Sequence, residues 1–427
     1  MLIHAQPQKN SRFLDDIYVY LAVFSAFFFS YIPLTYVLDA IHVSKPLAYM
    51  VFTSITLLIM AYNVYSGNLK IQPGSLTIVG LSLFFAVYAI GSFIFTDNYF
   101  HDYQTVTVLG ILNPLYILFA VLIADKKPQV ARFLFILAAI YFLVVFYKWI
   151  SGDLRPEKGT AFIQVFDTVG AEFYQNINKY LGLLCILSIG LFTQRHWLLT
   201  LAKTALVVLC LFFMLQIGGR AAIVALLMVL AFWFLVENAR LDSIYFIASL
   251  IIIVAISYGL LVSLDKLIIF MQESSITSLN RFASLLLGSD SSHRGFLFSN
   301  AIAQFTDSPK NLFFGGGMNT FSVFTKEYNL GLYPHNIILE LLAEYGIIGF
   351  IAFILPILYL FRERIKVLGS YIGNDHFERL FFMLFLYYFI IHMFTIGLRN
   401  SWFFIFMIFL LFPYHRKQQI AYRISET

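Results

Sequence analysis

The residues best suited to chemistry stand in one short block, Tyr333-Pro-His335-Asn336-Ile-Ile-Leu-Glu340-Leu-Leu-Ala-Glu344-Tyr-Gly346-Ile-Ile-Gly349. It ends the longest polar interval of the chain and opens an apolar run that continues to about Leu360. His335 therefore offers an imidazole, a group that exchanges protons near neutral pH, where a loop becomes a membrane helix. Pro334 should keep a helix from running through the block, and Asn336 can cap the helix that follows. Asn336, Glu340 and Glu344 recur every four residues and so share one face of that helix. Carboxylates at the entrance of a membrane helix are costly unless they face protein or water, which makes them functional candidates. The plainer alternative is a capped helix end whose acids stay in the wet interface.

Basic residues add a second set of candidates. Arg220 follows Gly218-Gly219 at the head of an apolar helix. A guanidinium there opposes the helix dipole, so an anionic partner explains it better than helix stability does; a snorkelling interfacial arginine is the alternative. Arg294, in the long polar interval, reads by itself as a solvated charge. Arg399 sits in a tight turn before the last apolar run and is either functional or an interfacial anchor. Arg281 and Lys310 read as surface charges, and His101 and His293 are isolated. Gly315-Gly316-Gly317 would let backbone amides approach a phosphate, but a glycine run more often marks a flexible turn. It has neither the lysine nor the strand–helix setting of a phosphate-binding loop. The sequence holds no nucleophile elbow, no Asp-x-Asp pair, no HExxH and no Cys/His metal spacing, so neither a metal nor a cofactor is expected.

These residues must be positioned by membrane helices. Of 427 residues 60% are apolar and only 12% charged, with 48 Phe and 26 Tyr, and the mean hydropathy is +0.82. That composition excludes a soluble enzyme and fits lipid contact with aromatic interfacial belts. A net charge of +5 is too small and dispersed for nucleic acid. Cys185 and Cys210 fall in apolar runs and read as packing residues. The fold class expected is all-α and polytopic, the whole chain, 1–427, packing as one helical membrane domain.

Spanning the hydrocarbon takes about 20 apolar residues. Runs that meet or approach this are read at Ile17–Leu38, Leu47–Tyr65, Leu76–Phe95, Val106–Ile123, Phe133–Ile150, Tyr180–Phe192, Leu198–Gln216, Ala221–Val236, Ile244–Ser263, Ile337–Leu360, Leu380–Ile396 and Trp402–Phe412, about twelve in all. Lysine and arginine collect in the intervals that share a side with the N-terminus, among them Lys9, Arg12, Lys126, Lys127, Arg195, Arg240, Arg362 and Arg416. The other side carries little beyond Lys45, Arg220 and Arg399. By the positive-inside rule both termini are cytoplasmic. Two far-side intervals are long, about 151–179 and about 264–335, and the second, as a large periplasmic loop, is expected to carry short helices of its own. Its Leu264–Leu287 stretch fits a helix lying on the membrane surface, and a helix is expected over about Gly295–Phe305, broken at Ser308-Pro309 and at the glycine run.

Three features then occur in order: Gly219-Arg220-Ala-Ala; Arg294 followed by Ser308-Pro309 and Gly315-Gly316-Gly317-Met-Asn319; and Pro334-His335-Asn336 with Glu340, Glu344 and Gly346-Ile-Ile-Gly349. Over about 218–360 this resembles the O-antigen ligase and polymerase superfamily, bacterial inner-membrane glycosyltransferases acting on undecaprenyl-diphosphate-linked glycans. One departure is Gly219, where such proteins often carry serine. The resemblance implies a lipid-linked glycan donor, Arg220 and Arg294 as a clamp on its diphosphate, and His335 as the general base on the acceptor hydroxyl. It implies an inverting, metal-independent transfer at the periplasmic face, with Asn336, Glu340, Glu344 and Arg399 as secondary candidates. The acceptor is a second lipid-linked repeat unit in a polymerase and the lipid A core in a ligase; the catalytic residues do not separate them, and a protein acceptor is a third case. A flippase for the same lipid-linked sugars is the reading from another class. It fits less well, because polar residues gather at one membrane face and not along the spans.

Overall fold

The computed structural model describes residues 11–27, 38, 41–67, 69, 71, 73–96, 106–151, 162–164, 171–192, 197–217, 219–241, 264–273, 279–280, 283–284, 287, 294–326, 332–374, 376–395, 397–398 and 401–411. The chain is a helical bundle. In order, its helices are α1 (Ser11–Phe27), α2 (Lys45–Tyr65), α3 (Pro73–Ile94), a π-helical turn at Val108–Leu112 leading into α4 (Asn113–Leu122), α5 (Lys127–Ile150), α6 (Tyr174–Leu191), α7 (Trp197–Ile217) and α8 (Arg220–Leu241). After these come α9 (Leu264–Glu273), α10 (Arg294–Thr306), α11 (Pro309–Phe314), α12 (Phe321–Phe324), α13 (Ile337–Asn374), α14 (His376–Phe394) and α15 (Trp402–Phe409). A two-stranded antiparallel hairpin, β1 (Phe162–Gln164) and β2 (Ala171–Phe173), pairs Ile163 with Glu172 just before α6.

Among the described residues six helices are long and apolar enough to cross a membrane: Leu47–Tyr65, Gly74–Ile94, Ala124–Ile150, Trp197–Ile217, Ile337–Arg362 and His376–Phe394. Four shorter apolar helices, Ile17–Phe27, Val108–Leu122, Asn176–Leu191 and Arg220–Leu235, stand with them. The fold is thus that of a multi-pass helical membrane protein. The expected span at 244–263 lies outside the described residues, and the last expected span is an eight-residue helix, α15, among them.

The bundle buries one aromatic core. Phe27 of α1 packs on Tyr180 of α6 and on Phe403 of α15, each at 4.8 Å between ring centroids. Tyr141 of α5 meets Tyr180 at 4.7 Å, and Tyr388 of α14 meets Phe403 at 5.1 Å. Such edge and tilted pairs add to the apolar burial that aromatic side chains supply. Outward positions stay apolar as well: Leu58, Val87 and Ile94 are 70%, 69% and 66% exposed, a surface suited to lipid.

Helix α13 organises the candidate site. It is broken at Gly346, whose φ of 63° and ψ of −170° belong to a region open essentially to glycine. The break frees carbonyls that must find donors inside a membrane protein. Gly316 N–H donates to Ala343 O and Gly317 N–H to Glu344 O, both at 2.9 Å. Tyr88 Oη, from α3, donates to Tyr345 O at 3.0 Å. The three glycines are therefore a fixed strap across the broken helix, where sequence reasoning expected a flexible turn. Their amides are committed to α13 and α11, and a phosphate would find none of them free.

Candidate functional site

The block around His335 is assembled from backbone upward. Pro334 is buried, His335 turns the chain at φ 56°, and Asn336 Oδ1 accepts from the amides of Ile338 and Leu339, each at 3.0 Å. This is the expected N-cap. The same short segment is clipped to the end of α14, where a helix leaves carbonyls without internal donors. Asn336 Nδ2 donates to Met393 O at 3.1 Å, and Tyr333 Oη to Thr395 O at 3.0 Å. His335 Nδ1 lies 3.2 Å from that same Thr395 carbonyl, and its ring leans on Tyr333 at 4.2 Å.

This geometry fixes the tautomer. A carbonyl only accepts, so Nδ1 carries the hydrogen, and Nε2 is left with the lone pair. Burial pushes the imidazole below its usual value near 6.5, the Thr395 carbonyl pulls it back up, and the Arg294 guanidinium pushes it down again. Desolvation and a neighbouring like charge both oppose the charged form. The ring is thus held neutral, with Nε2 a proton acceptor at neutral pH. The Arg294 effect also brings that arginine, at the start of α10, into the neighbourhood of His335.

Glu340 and Glu344 are both buried, at 4% exposure each, so the polar stripe faces protein. Glu340 Oε2 accepts from the Leu398 amide at 3.0 Å, which holds the turn after α14 against α13. Glu344 lies beside the glycine strap, its carbonyl bonded to Gly317.

Arg220 reaches the same end of the bundle by another route. Helices α6 and α14 run antiparallel: Gly190 packs on Leu380, and Gly182, about two turns earlier in α6, on Tyr387. Asn178 lies one further turn back, level with the end of α14, and Tyr387 Oη donates to the Asn178 and Lys179 carbonyls at 3.3 and 3.2 Å. Asn178 in turn holds the α7–α8 turn, donating to Met214 O at 3.0 Å and packing on Gly219 so closely that a Cβ there would lie 2.3 Å from its Nδ2. Farther along α8, Trp233 meets His376 at the start of α14, roughly 20 Å from Arg220 at about 1.5 Å per residue. Arg220, Arg294 and His335 accordingly share the end of the bundle marked by Thr395.

Residues 205–354 match the family model described as O-antigen ligase. This region is similar to the O-antigen ligase family. It is about a third of the chain and takes in α8, the loop helices, the glycine strap and the first part of α13. No curated protein matches the chain. Within the O-antigen ligase region fall Arg220, Arg294, His335, Asn336, Glu340 and Glu344; Arg399 lies beyond it and outside the described residues. Among the described residues no three His, Cys, Asp or Glu side chains gather as a metal site.

Sequence reading missed several positioning residues. Tyr333 was inside the block but carried no assigned role. Asn178 stands in Asn176-Ile-Asn178-Lys179 at the lip of an apolar helix, a polar cluster that was a usable signal. The Met393 and Thr395 contributions are backbone carbonyls and leave no mark on residue type. Asn178 also accounts for Gly219, where the family often has serine: the space of that side chain is already filled.

Proposed function

We propose that the protein is an inner-membrane glycosyltransferase that moves a glycan from undecaprenyl diphosphate to an acceptor hydroxyl at the periplasmic face, as a polymerase of surface polysaccharide. The observation that carries this reading is the His335 arrangement: Nδ1 tied to a carbonyl, Nε2 left as a base, and an arginine acting on the ring. Nε2 takes the proton of the acceptor hydroxyl. The acceptor oxygen forms its bond to the anomeric carbon as the bond to the diphosphate oxygen breaks, and the electron pair leaves with the diphosphate. Arg220 and Arg294 meet the charge that grows there, bidentate forks suited to phosphate oxygens in a site where preorganised cations act strongly. In-line attack inverts the anomeric carbon, and the two guanidinium groups supply the charge that a metal otherwise would.

A ligase that delivers the glycan to lipid A core is the second reading, favoured by the description of the matching family. Deleting the gene and resolving surface polysaccharide on a gel separates the two. Core carrying a single repeat unit marks a polymerase, and loss of all capped core marks a ligase. An unchanged ladder overturns both. Full transfer activity of His335→Ala in reconstituted membranes removes the base assignment.

A further inference from the structure

Beside the glycine strap lies a cavity of about 290 Å³, lined by Tyr88, Ser92, Phe95, Thr96, Lys310 and Phe314 over a floor that includes Gly91. Its size is at the lower edge of pockets for small ligands, which begin at about 300 Å³. It is joined to the candidate site through bonds already described, since the strap and Tyr88 hold Ala343, Glu344 and Tyr345, roughly 12 Å along α13 from Ile337 at about 1.5 Å per residue.

The hydrogen-bonding character of the wall identifies its ligand. Each hydroxyl spends its hydrogen inward: Tyr88 on the carbonyls of Phe314 and Tyr345 at 3.1 and 3.0 Å, Ser92 on Ala89 O at 2.9 Å, Thr96 on Ser92 O. What these oxygens offer the cavity is lone pairs. The strap amides are committed too, Gly315 to Asn311 O and Gly316 and Gly317 to α13. Among the described lining residues the Lys310 ammonium remains as the donor of strength. A phosphate, which accepts and does not donate, would meet lone pairs on most of this wall. A molecule rich in hydroxyl hydrogens fits it. Phe95 and Phe314, 85% and 53% exposed, add flat apolar faces of the kind on which the C–H face of a pyranose rests.

We infer that this cavity binds a saccharide ring of the glycan being transferred or of the glycan that receives it, separate from the residues that perform the transfer. The inference rests on the function proposed above, and its test does not depend on catalysis. Gly91 is the point of entry, because a Cβ there meets nothing within 4 Å; Gly91→Leu starts its side chain in that open space. Lys310 is exposed, so Lys310→Ala is a second variant that does not challenge folding.

The probe is the lipid-free saccharide released by mild acid from the host's own lipid-linked repeat unit. Its binding to full-length protein in nanodiscs is followed by saturation-transfer NMR. The wild type should bind it, and both variants should weaken binding tenfold or more, with inorganic diphosphate failing to displace the sugar. Absence of binding to the wild type, unchanged binding in both variants, or displacement by diphosphate overturns the assignment. In transfer assays Gly91→Leu should raise KM for one substrate alone, the donor if the ring belongs to it and the acceptor otherwise. His335→Ala should keep saccharide binding and lose transfer, so loss of the base assignment and loss of the cavity assignment give different results.

Discussion

The two ends of α14 solve the burial of charge in opposite ways. At its start Glu378 meets Lys127 of α5 at 2.6 Å, side chains 10% and 5% exposed. Opposite charges close on each other there, and the pair ties two helices together across 251 positions of sequence. At its end the carbonyls of Met393 and Thr395 orient Asn336, Tyr333 and His335, and the charge felt by the imidazole is a like one, Arg294. A carboxylate partner would have raised the histidine and favoured imidazolium. An arginine and burial keep it neutral. One end closes a carboxylate on an ammonium; at the other an imidazole and a guanidinium stand in company.

The comparison is broken most severely at the chemical end. His335→Ala should reduce transfer by about 10² to 10⁴, the usual contribution of a positioned base, while thermal stability in detergent changes little. A variant that melts early and transfers in proportion to its folded fraction would make His335 structural and erase the contrast. The structural end should show the reverse pattern. Lys127→Ala leaves Glu378 buried without its partner and should cost about 3–5 kcal/mol, read as a lower melting temperature. Replacing both with Met and Leu should recover most of that loss. If the double replacement melts as early as the single one, the pair is worth more than a closed neutral contact.

How much of this was legible beforehand depends on sequence distance. The Asn336 cap, the Glu340 and Glu344 stripe, the break at Ser308-Pro309 and the helix after Arg294 are local patterns, and the structure has them where spacing placed them. The pairing of Lys127 with Glu378 was not legible, because nothing near Lys127 distinguishes it from its neighbour Lys126 on a basic, cytoplasmic-type turn. The strap was misjudged for a different reason. A glycine run signals backbone freedom, and only the partner helix shows that the freedom is used for contact: a Cβ at Gly315 would lie 2.3 Å from the Glu344 carbonyl, and one at Gly346 2.5 Å from Phe313 O. Contacts made by backbone with backbone leave the least trace in residue types.

A smaller effect tests how Arg220 is held. Gly219→Ser, the change toward the residue common in the resembling family, forces a side chain into the place of Asn178. Overpacking of this kind costs about 1–3 kcal/mol. Shortening the neighbour in Gly219→Ser with Asn178→Ala should restore both stability and transfer, a coupling that a double-mutant cycle measures directly. Simple additivity of the two losses would mean that the α7–α8 turn is not seated on Asn178.

The smallest displacement is in pH. The proposed mechanism needs neutral His335, whose pKa is held below 6.5 by burial first and by Arg294. The rate should therefore be level near neutrality and fall only as pH drops through a value below 6.5. Protonation is opposed by the positive neighbour, so removing that neighbour makes it easier. Arg294→Gln, besides lowering transfer at every pH if the proposed diphosphate clamp holds, should move the acid limb toward higher pH, because the like charge on the ring is gone. Arg220→Gln should lower the rate and leave the limb in place. A limb that stays fixed in Arg294→Gln, or moves equally in both variants, would sever Arg294 from the imidazole. The contrast between the two ends of α14 would then lose its electrostatic part.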